Sequence, residues 1–255
     1  MTVQVRLFAG LRERAGWARR EVEAATVADV WPALGLGDEP EGLLYAVKHG
    51  AKVINLSIGG SETSQIEQRA IRYAARQGVL LVAAAGNEHD QGNPVEYPAA
   101  LLQPVGSRGR GGIGLAVGAT RMNGARAAFS NTGSYLSLAA PGENVFAAES
   151  SDSDWPHAQP PWSSPGYYGW ASGTSFAAPE VAGAAALVWG ANPALTAQQV
   201  ATILKQSASG GGWSPELGWG RLDAAAAVRL AEATPGAAPR RARQEPRPIH
   251  SSPPS

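Results

Sequence analysis

Cysteine is absent from this chain of 255 residues, and that absence excludes several kinds of chemistry. Disulfide bonds, thiolate catalysis and cysteine-based zinc sites all need a thiol, so none of them can occur here. Histidine is scarce as well, with four residues to serve as general bases or metal ligands.

Net charge and long apolar runs are also missing. The 21 basic and 21 acidic side chains cancel, so we expect neither a nucleic-acid nor a membrane partner from electrostatics. No segment reaches the roughly 18 consecutive apolar residues of a transmembrane helix, and the N-terminus lacks the apolar core of about 7 to 15 residues that marks a signal peptide. The compartment stays unknown, and the chain as written is expected to remain in the cytoplasm.

The most informative segment is Ser-Gly-Thr-Ser-Phe-Ala-Ala-Pro-Glu-Val-Ala-Gly at 172 to 183. A Gly-Thr turn followed by Ser175 and an alanine-rich run predicts a helix with a hydroxyl in its first turn. Free backbone N–H groups and the positive end of the helix dipole there face any oxyanion that develops nearby. The alternative role of Ser175 is an ordinary N-cap, which serine fills at many helices.

Two apolar runs, at 53–58 and 79–85, predict buried parallel strands. The second run leads to Asn87, whose side-chain N–H could reach a substrate carbonyl oxygen. Strands that alternate with helices indicate right-handed crossovers and a mostly parallel sheet. Further short strands are predicted at 114–118 and 135–138, and helices at 65–77, 195–207 and 222–231.

These segments together resemble the subtilases, the subtilisin-like serine peptidases. The matching pieces are Gly-Ala-Lys-Val-Ile-Asn-Leu-Ser-Ile-Gly-Gly at 50–60, Ala-Ala-Ala-Gly-Asn at 83–87, Phe-Ser-Asn at 129–131, Ala-Pro-Gly at 140–142, the Ser175 segment, and Gly-Trp-Gly-Arg-Leu-Asp at 218–223. The resemblance covers residues from about 45 to about 231. It implies an α/β fold with an incomplete, mostly parallel subtilisin-like sheet flanked by helices, in a family whose members are commonly secreted.

The resemblance also assigns roles to residues. Ser175 corresponds to the attacking serine and Asn87 to the side chain that helps to bind the oxyanion, which implies peptide-bond hydrolysis through an acyl-enzyme on Ser175. The implied partner is an extended polypeptide substrate, held by strand addition along two segments and at the serine turn. The residues implied in substrate binding are Ser57, Ile58, Gly59, Ala84, Ala85, Gly86 and Thr174.

The chain lacks the other half of this chemistry. A serine hydroxyl needs a base within hydrogen-bond reach, and the base needs an orienting group. Subtilases supply these from an Asp motif and a His motif upstream of the asparagine, and neither motif occurs in this sequence. His49 is expected to end a helix at 41–49, His89 to face solvent, and His157 and His250 to lie in polar or proline-rich segments. We therefore expect this chain to be inactive as a peptidase.

The first residues resemble a different family. Alternation at 1–9, a second strand at 19–25 and a helix at 26–34 predict a hairpin followed by a helix. The run Val-Arg-Leu-Phe-Ala-Gly-Leu-Arg-Glu-Arg-Ala-Gly at 5–16 belongs to a segment, from about residue 3 to about residue 47, that resembles the small subunit of molybdopterin synthase, a ubiquitin-like sulfur carrier. Such carriers act through a C-terminal Gly-Gly, whereas this chain ends Pro253-Pro254-Ser255.

Three domains follow from these patterns. We expect a partial ubiquitin-like segment at 1–40, a partial subtilisin-like peptidase domain at 41–233, and a disordered tail rich in proline and arginine at 234–255. No cofactor is expected and no metal ligand is assigned; structural calcium, which subtilases often bind, stays open because no carboxylates are grouped at ligand spacing. Two other functions also stay open: a non-catalytic module that binds extended peptides, and a sulfur-carrier-like protein.

Overall fold

The computed structural model describes residues 2–6, 19–23, 40–148 and 168–236. The strands are β1 (Thr2–Arg6), β2 (Arg19–Glu23), β3 (Val53–Leu56), β4 (Leu80–Ala84), β5 (Gly114–Thr120), β6 (Leu138–Pro141), β7 (Val145–Ala148) and β8 (Tyr168–Ala171). The helices are α1 (Pro40–Lys48), α2 (Gln65–Arg76), α3 (Ala99–Leu102), α4 (Thr174–Ala191), α5 (Ala197–Ser207) and α6 (Ala224–Ala233).

A parallel sheet with strand order β3-β4-β5-β6 forms the centre of the described fold. Val53 lies opposite Leu80, and Leu81 lies opposite Gly114, so the strands run side by side in the same direction. Every residue of β4 and β5 is buried, which is why both sequences are continuous runs of apolar and small residues. The predicted mostly parallel sheet with flanking helices is confirmed.

Helices cover both faces of this sheet. Since side chains alternate along a strand, Leu80, Val82 and Ala84 of β4 point into the core beneath α4 and α5. The intervening Leu81 and Ala83 point to the opposite core, where α2 and α3 pack. Helix α4 contacts all four strands, so its N-terminus is held against the carboxyl ends of the sheet.

The boundaries of several elements differ from those predicted. Helix α1 ends at Lys48, and His49 follows it, with Gly50 at a φ of 82°. His49 Nδ1 lies 2.8 Å from the carbonyl of Tyr45, so the predicted position of His49 at a helix C-terminus is confirmed. The strand predicted at 135–138 is wrong: β6 begins only at Leu138, because a turn in which the Leu136 N–H bonds the Gly133 carbonyl occupies the residues before it.

The N-terminal strands pair with each other. β1 lies antiparallel to β2, with Val3 opposite Val22. The helix predicted at 26–34 falls outside the described residues, as does the tail from 237 onward. The ubiquitin-like character of this segment and the division of the chain into three domains stay predictions. No helix in the described ranges has the length and the apolar character needed to cross a membrane.

The position of β3 generates a prediction about hydrogen exchange. Among the described strands, β3 bonds only to β4, so alternate amides of Val53–Leu56 lack a strand partner. We expect those amides to exchange at least about tenfold faster than the amides of Leu80–Ala84, which corresponds to about 1.4 kcal/mol less protection. Residue-resolved hydrogen–deuterium exchange measures this difference. Equal protection of the two strands would show that another segment covers the edge.

Candidate active site

Ser175 is the second residue of α4. The N-cap is Gly173, so the alternative role of Ser175 as an N-cap is wrong. In the first turn of the helix, the Thr174 N–H donates to Asn87 Oδ1 at 2.8 Å and the Phe176 N–H donates to the Gly173 carbonyl at 3.0 Å. The Ser175 N–H has no partner among the described residues, so it remains available to an oxyanion at the positive end of the helix dipole.

Asn87 lies beyond the end of β4, and contacts with Thr174 fix its side chain. Its Oδ1 accepts from both the backbone N–H and the hydroxyl of Thr174, at 2.8 and 3.0 Å. Thr174 Oγ1 in turn accepts from the Gly86 N–H at 3.2 Å. Because the amide oxygen is committed to Thr174, the Nδ2 donor is directed away from it.

The Asn87 and Ser175 donors converge beside Gly173. A Cβ atom placed on Gly173 would lie 3.6 Å from Asn87 Nδ2 and 3.7 Å from the Ser175 nitrogen. Two N–H donors that border one space next to a hydroxyl are the groups that an oxyanion site requires. The structure therefore brings Ser175, Asn87 and Thr174 together, as the sequence motifs imply.

Pro179 explains the hydrogen bond between the end of β3 and the first turn of α4. Pro179 lies inside α4 and has no N–H, so it cannot donate to the Ser175 carbonyl one turn earlier. The Ser57 hydroxyl donates to that carbonyl instead, at 2.7 Å. Ser57 follows β3 directly, and its Oγ also accepts from Asn55 Nδ2 at 2.8 Å. The end of β3 is thereby fixed against the serine turn.

Gly142 permits the close approach of the serine turn, residues 173–175 at the start of α4. The Gly173 N–H donates to the Gly142 carbonyl at 2.7 Å. A Cβ on Gly142 would lie 2.8 Å from the Gly173 carbonyl oxygen and 2.7 Å from Ala119 Cβ, which is closer than real Cβ atoms approach. Any side chain at 142 would displace the turn, which explains the glycine of the Ala-Pro-Gly motif.

The two segments implied in substrate binding differ in exposure. Ile58 is 51% exposed, and Gly59 beside it is also exposed. The side chains of Ala84 and Ala85 are buried in the two cores, and the backbone of the segment is bonded within the fold. The Ala85 N–H donates to the Val117 carbonyl at 3.0 Å, and the Gly86 N–H donates to Thr174 Oγ1 at 3.2 Å. The Ala85 carbonyl already accepts from the Tyr135 hydroxyl at 3.1 Å.

A carboxylate that the sequence analysis did not single out lies between these two segments. A Cβ on Gly59 would collide with Glu96 Oε2, and one on Gly86 would lie 2.9 Å from Glu96 Cγ. Glu96 reaches this place because Tyr97 next to it pairs with Gly60 through two backbone hydrogen bonds, of 2.8 and 3.1 Å. No local sequence pattern predicts that long-range pairing.

The Glu96 side chain sits beside a second carboxylate. Burial raises the pKa of Glu96 to about 7, and the neighbouring charge of Glu88 and a hydrogen bond to Glu88 add to the effect. Glu88 Oε2 accepts the Asn87 N–H, at 2.6 Å. Burial, followed by the charge of Glu96, raises the pKa of the Tyr135 hydroxyl to about 12. The group of carboxylates and phenol is therefore in contact with the oxyanion donors through Asn87.

Histidine is not a partner of Ser175 in the part of the chain that the structure describes. Ser175 Oγ lies 3.4 Å from the carbonyl oxygen of Ser57, to which it donates. His49 bonds and stacks on Tyr45. His89 is half-buried rather than fully exposed as expected, and its Nδ1 lies 3.3 Å from Asn93 Oδ1. His157 and His250 lie outside the described residues.

An apolar cavity of about 260 Å³ adjoins the segment at 57–59. Ile58 lines it together with Leu43 of α1, Ile54 and Leu56 of β3, and Ile71 of α2. Within the described ranges, no three His, Asp or Glu side chains are grouped as metal ligands would be.

The pKa of Glu96 generates a prediction about pH and stability. Its folded-state pKa of about 7 lies above the ordinary value of 4.5, so the folded chain binds this proton more tightly than the unfolded chain does. The stabilisation is complete below pH 4.5 and is lost as the pH rises through 7. Glu88 and Tyr135 are the other titratable groups that act on Glu96.

The variant Glu96→Gln keeps the shape of the side chain and removes the titration. We expect the free energy of unfolding, from urea titrations at pH 4.5 and pH 8, to fall less between these pH values in this variant than in the parent chain. The matched control Glu232→Gln, on the exposed face of α6, should keep the parental dependence. A parental dependence in Glu96→Gln would contradict the assignment.

Comparisons with known proteins agree with this architecture. The Subtilase family model matches residues 23–220. Subtilisin DY of Bacillus licheniformis is 35% identical over 190 residues, covering 74% of this chain and 61% of the relative. Subtilisin BL of Lederbergia lenta is 37% identical over 189 residues, with coverage of 74% and 61%. This chain thus spans about three fifths of the length of these two curated relatives.

A solved protease structure from Pseudoalteromonas arctica superposes with a TM-score of 0.61 at 32% identity, covering 75% of this chain and 57% of that one. The range matched by the family model, 23–220, includes the sheet, the Asn87 segment and helix α4. The chain therefore belongs to the subtilase family, the subtilisin-like serine peptidases.

Proposed function

We propose that this chain is the nucleophile-bearing part of a subtilisin-like serine endopeptidase, that it binds an extended polypeptide, and that by itself it hydrolyses peptide bonds negligibly. The observation that carries the proposal is the convergence of Asn87 Nδ2 and the Ser175 N–H on one space beside Gly173. Such donors serve acyl transfer, because they stabilise charge that develops on a carbonyl oxygen in the transition state.

The reaction that this geometry serves proceeds by addition and elimination. Ser175 Oγ forms a bond to the carbonyl carbon, its proton passes to a general base, and the oxyanion is held by the Asn87 and Ser175 donors. The C–N bond then breaks, and the protonated base returns the proton to the leaving amine. The acyl-enzyme on Ser175 is afterwards hydrolysed by water in the same two steps.

A general base is the part that this sequence does not supply. Neither the Asp motif nor the His motif of the family occurs in it, and His49 is committed to the end of α1. The Ser175 hydroxyl donates to a backbone carbonyl, which cannot accept the proton in the reaction. In subtilisin, removal of the serine or the histidine alone costs about 2 × 10⁶ in kcat, and the donors and substrate binding retain roughly 10³ to 10⁴ over water.

Polypeptide binding depends on features other than the base. Ser57, Ile58 and Gly59 present backbone groups at an exposed edge, to which an extended peptide could add as a strand. The apolar cavity beside Ile58 suits one side chain of such a peptide. A purely non-catalytic peptide-binding module is the second candidate, and the hydrogen bond from Ser175 Oγ to the Ser57 carbonyl favours it.

The resemblance of residues from about 3 to about 47 to a sulfur carrier remains a separate hypothesis. The antiparallel pairing of β1 with β2 is compatible with it. A pull-down with the large subunit of molybdopterin synthase tests it, and the absence of specific capture would contradict it.

The proposal predicts the outcome of a hydrolysis assay. The parent chain and Ser175→Ala should hydrolyse a fluorogenic peptide at rates that do not differ, because no base activates the hydroxyl. Ser61→Ala, at an exposed serine near the same cleft, is the matched control. Turnover that vanishes in Ser175→Ala and persists in Ser61→Ala would show that a base is present. A failure of any unfolded polypeptide to bind, measured by fluorescence anisotropy, would contradict the binding part.

A further inference from the structure

A carboxyl group lies between the two segments proposed to bind peptide, at 57–59 and 84–86. It belongs to Glu96, with its Oε2 against Gly59 and its Cγ against Gly86. Only 8% of Glu96 is exposed, and its carboxyl group shares a hydrogen bond with the carboxyl group of Glu88. Two carboxyl groups held this close, one of them buried, are costly when both are ionised, so this arrangement calls for an explanation.

The acidic pair lies next to the groups that would hold the reacting carbonyl. Glu88 directly follows Asn87 in the chain, and its Oε2 accepts the Asn87 backbone N–H. The Nδ2 of the same Asn87 faces the space beside Gly173 and Ser175. A peptide whose carbonyl oxygen occupies that space therefore has the side chain of the same residue within reach of Glu88 and Glu96.

Charge decides which side chain fits. Two carboxylates in contact cannot both ionise without cost, and the pair keeps a shared proton, as the raised pKa of Glu96 indicates. An ammonium or guanidinium group would replace that proton and donate charge-assisted hydrogen bonds to both carboxylates. An apolar side chain would offer neither charge nor donors to the pair and would reduce its solvation. Glu88 is half-buried, so one member of the pair stays accessible to an entering group.

We propose that Glu96, assisted by Glu88, makes this cleft selective for a lysine or arginine side chain on the residue whose carbonyl faces Asn87 and Ser175. The proposal rests on the proposed function, since it needs a polypeptide in the cleft. It assigns to Glu96 a specificity role and no part in bond breaking. A metal ion is a poorer occupant, because the described residues hold no group of three acidic or histidine ligands.

A binding experiment with the full chain tests the proposal without requiring turnover. Fluorescein-labelled octapeptides of serine, alanine and glycine would carry one central residue, either lysine or its uncharged isostere norleucine. At pH 8 the parent chain should bind the lysine peptide at least about tenfold more tightly, a difference of about 1.4 kcal/mol. In Glu96→Gln this preference should fall to within about twofold, and Glu88→Gln should reduce it in part. Glu232→Gln should retain it.

The outcomes separate the two proposals. Equal binding of the two peptides by the parent chain, or a preference that survives both Glu96→Gln and Glu88→Gln, would overturn the specificity role and leave peptide binding standing. Binding of neither peptide would overturn both. Circular dichroism melts of each variant establish that it is folded, and Glu88→Gln supplies the test if Glu96→Gln does not fold.

Discussion

The missing N–H of Pro179 is the constraint from which the site is assembled. A proline inside a helix leaves the carbonyl one turn earlier without its donor, and here that carbonyl belongs to Ser175. The Ser57 hydroxyl takes the donor's place at 2.7 Å. A fully buried carbonyl without a donor costs about 1 to 3 kcal/mol and this partly buried one costs less, so the hydrogen bond contributes modestly to holding the end of β3 against the first turn of α4. Ser175 and the segment at 57–59 are thereby part of one hydrogen-bonded unit.

The oxyanion donors are built independently of any base. Asn87 is oriented by Thr174, and the Ser175 N–H is free because of its place in the first turn of α4. Both arrangements lie where the end of β4 meets the first turn of α4, and the buried core beneath α4 keeps these two elements in place. The placement of these two donors therefore does not depend on whether Ser175 is activated. The positions of the Asn87 and Ser175 donors therefore give no measure of how readily the Ser175 hydroxyl reacts.

The sequence predicted those features that contiguous residues encode. Ser175 and Asn87 each stand in a short motif that joins a strand or a turn to a helix, so their placement follows from local patterns. The start of β6 at Leu138 was missed, because the turn before it depends on a backbone bond from Leu136 to Gly133. Glu96 was missed for a similar reason, since its position depends on the pairing of Tyr97 with the distant Gly60. The roles of Ser57 and Pro179 in one hydrogen bond likewise appear only when β3 and α4 meet.

The central claim is that Ser175 is positioned and not activated, and its reaction with a fluorophosphonate measures this most directly. The reagent needs an activated hydroxyl, and mass spectrometry of proteolytic fragments gives the rate of modification at each serine. We expect Ser175 to react no faster than the exposed Ser61 in the same sample. Rapid, stoichiometric modification confined to Ser175 would contradict the account, because it would require a general base within reach of the hydroxyl.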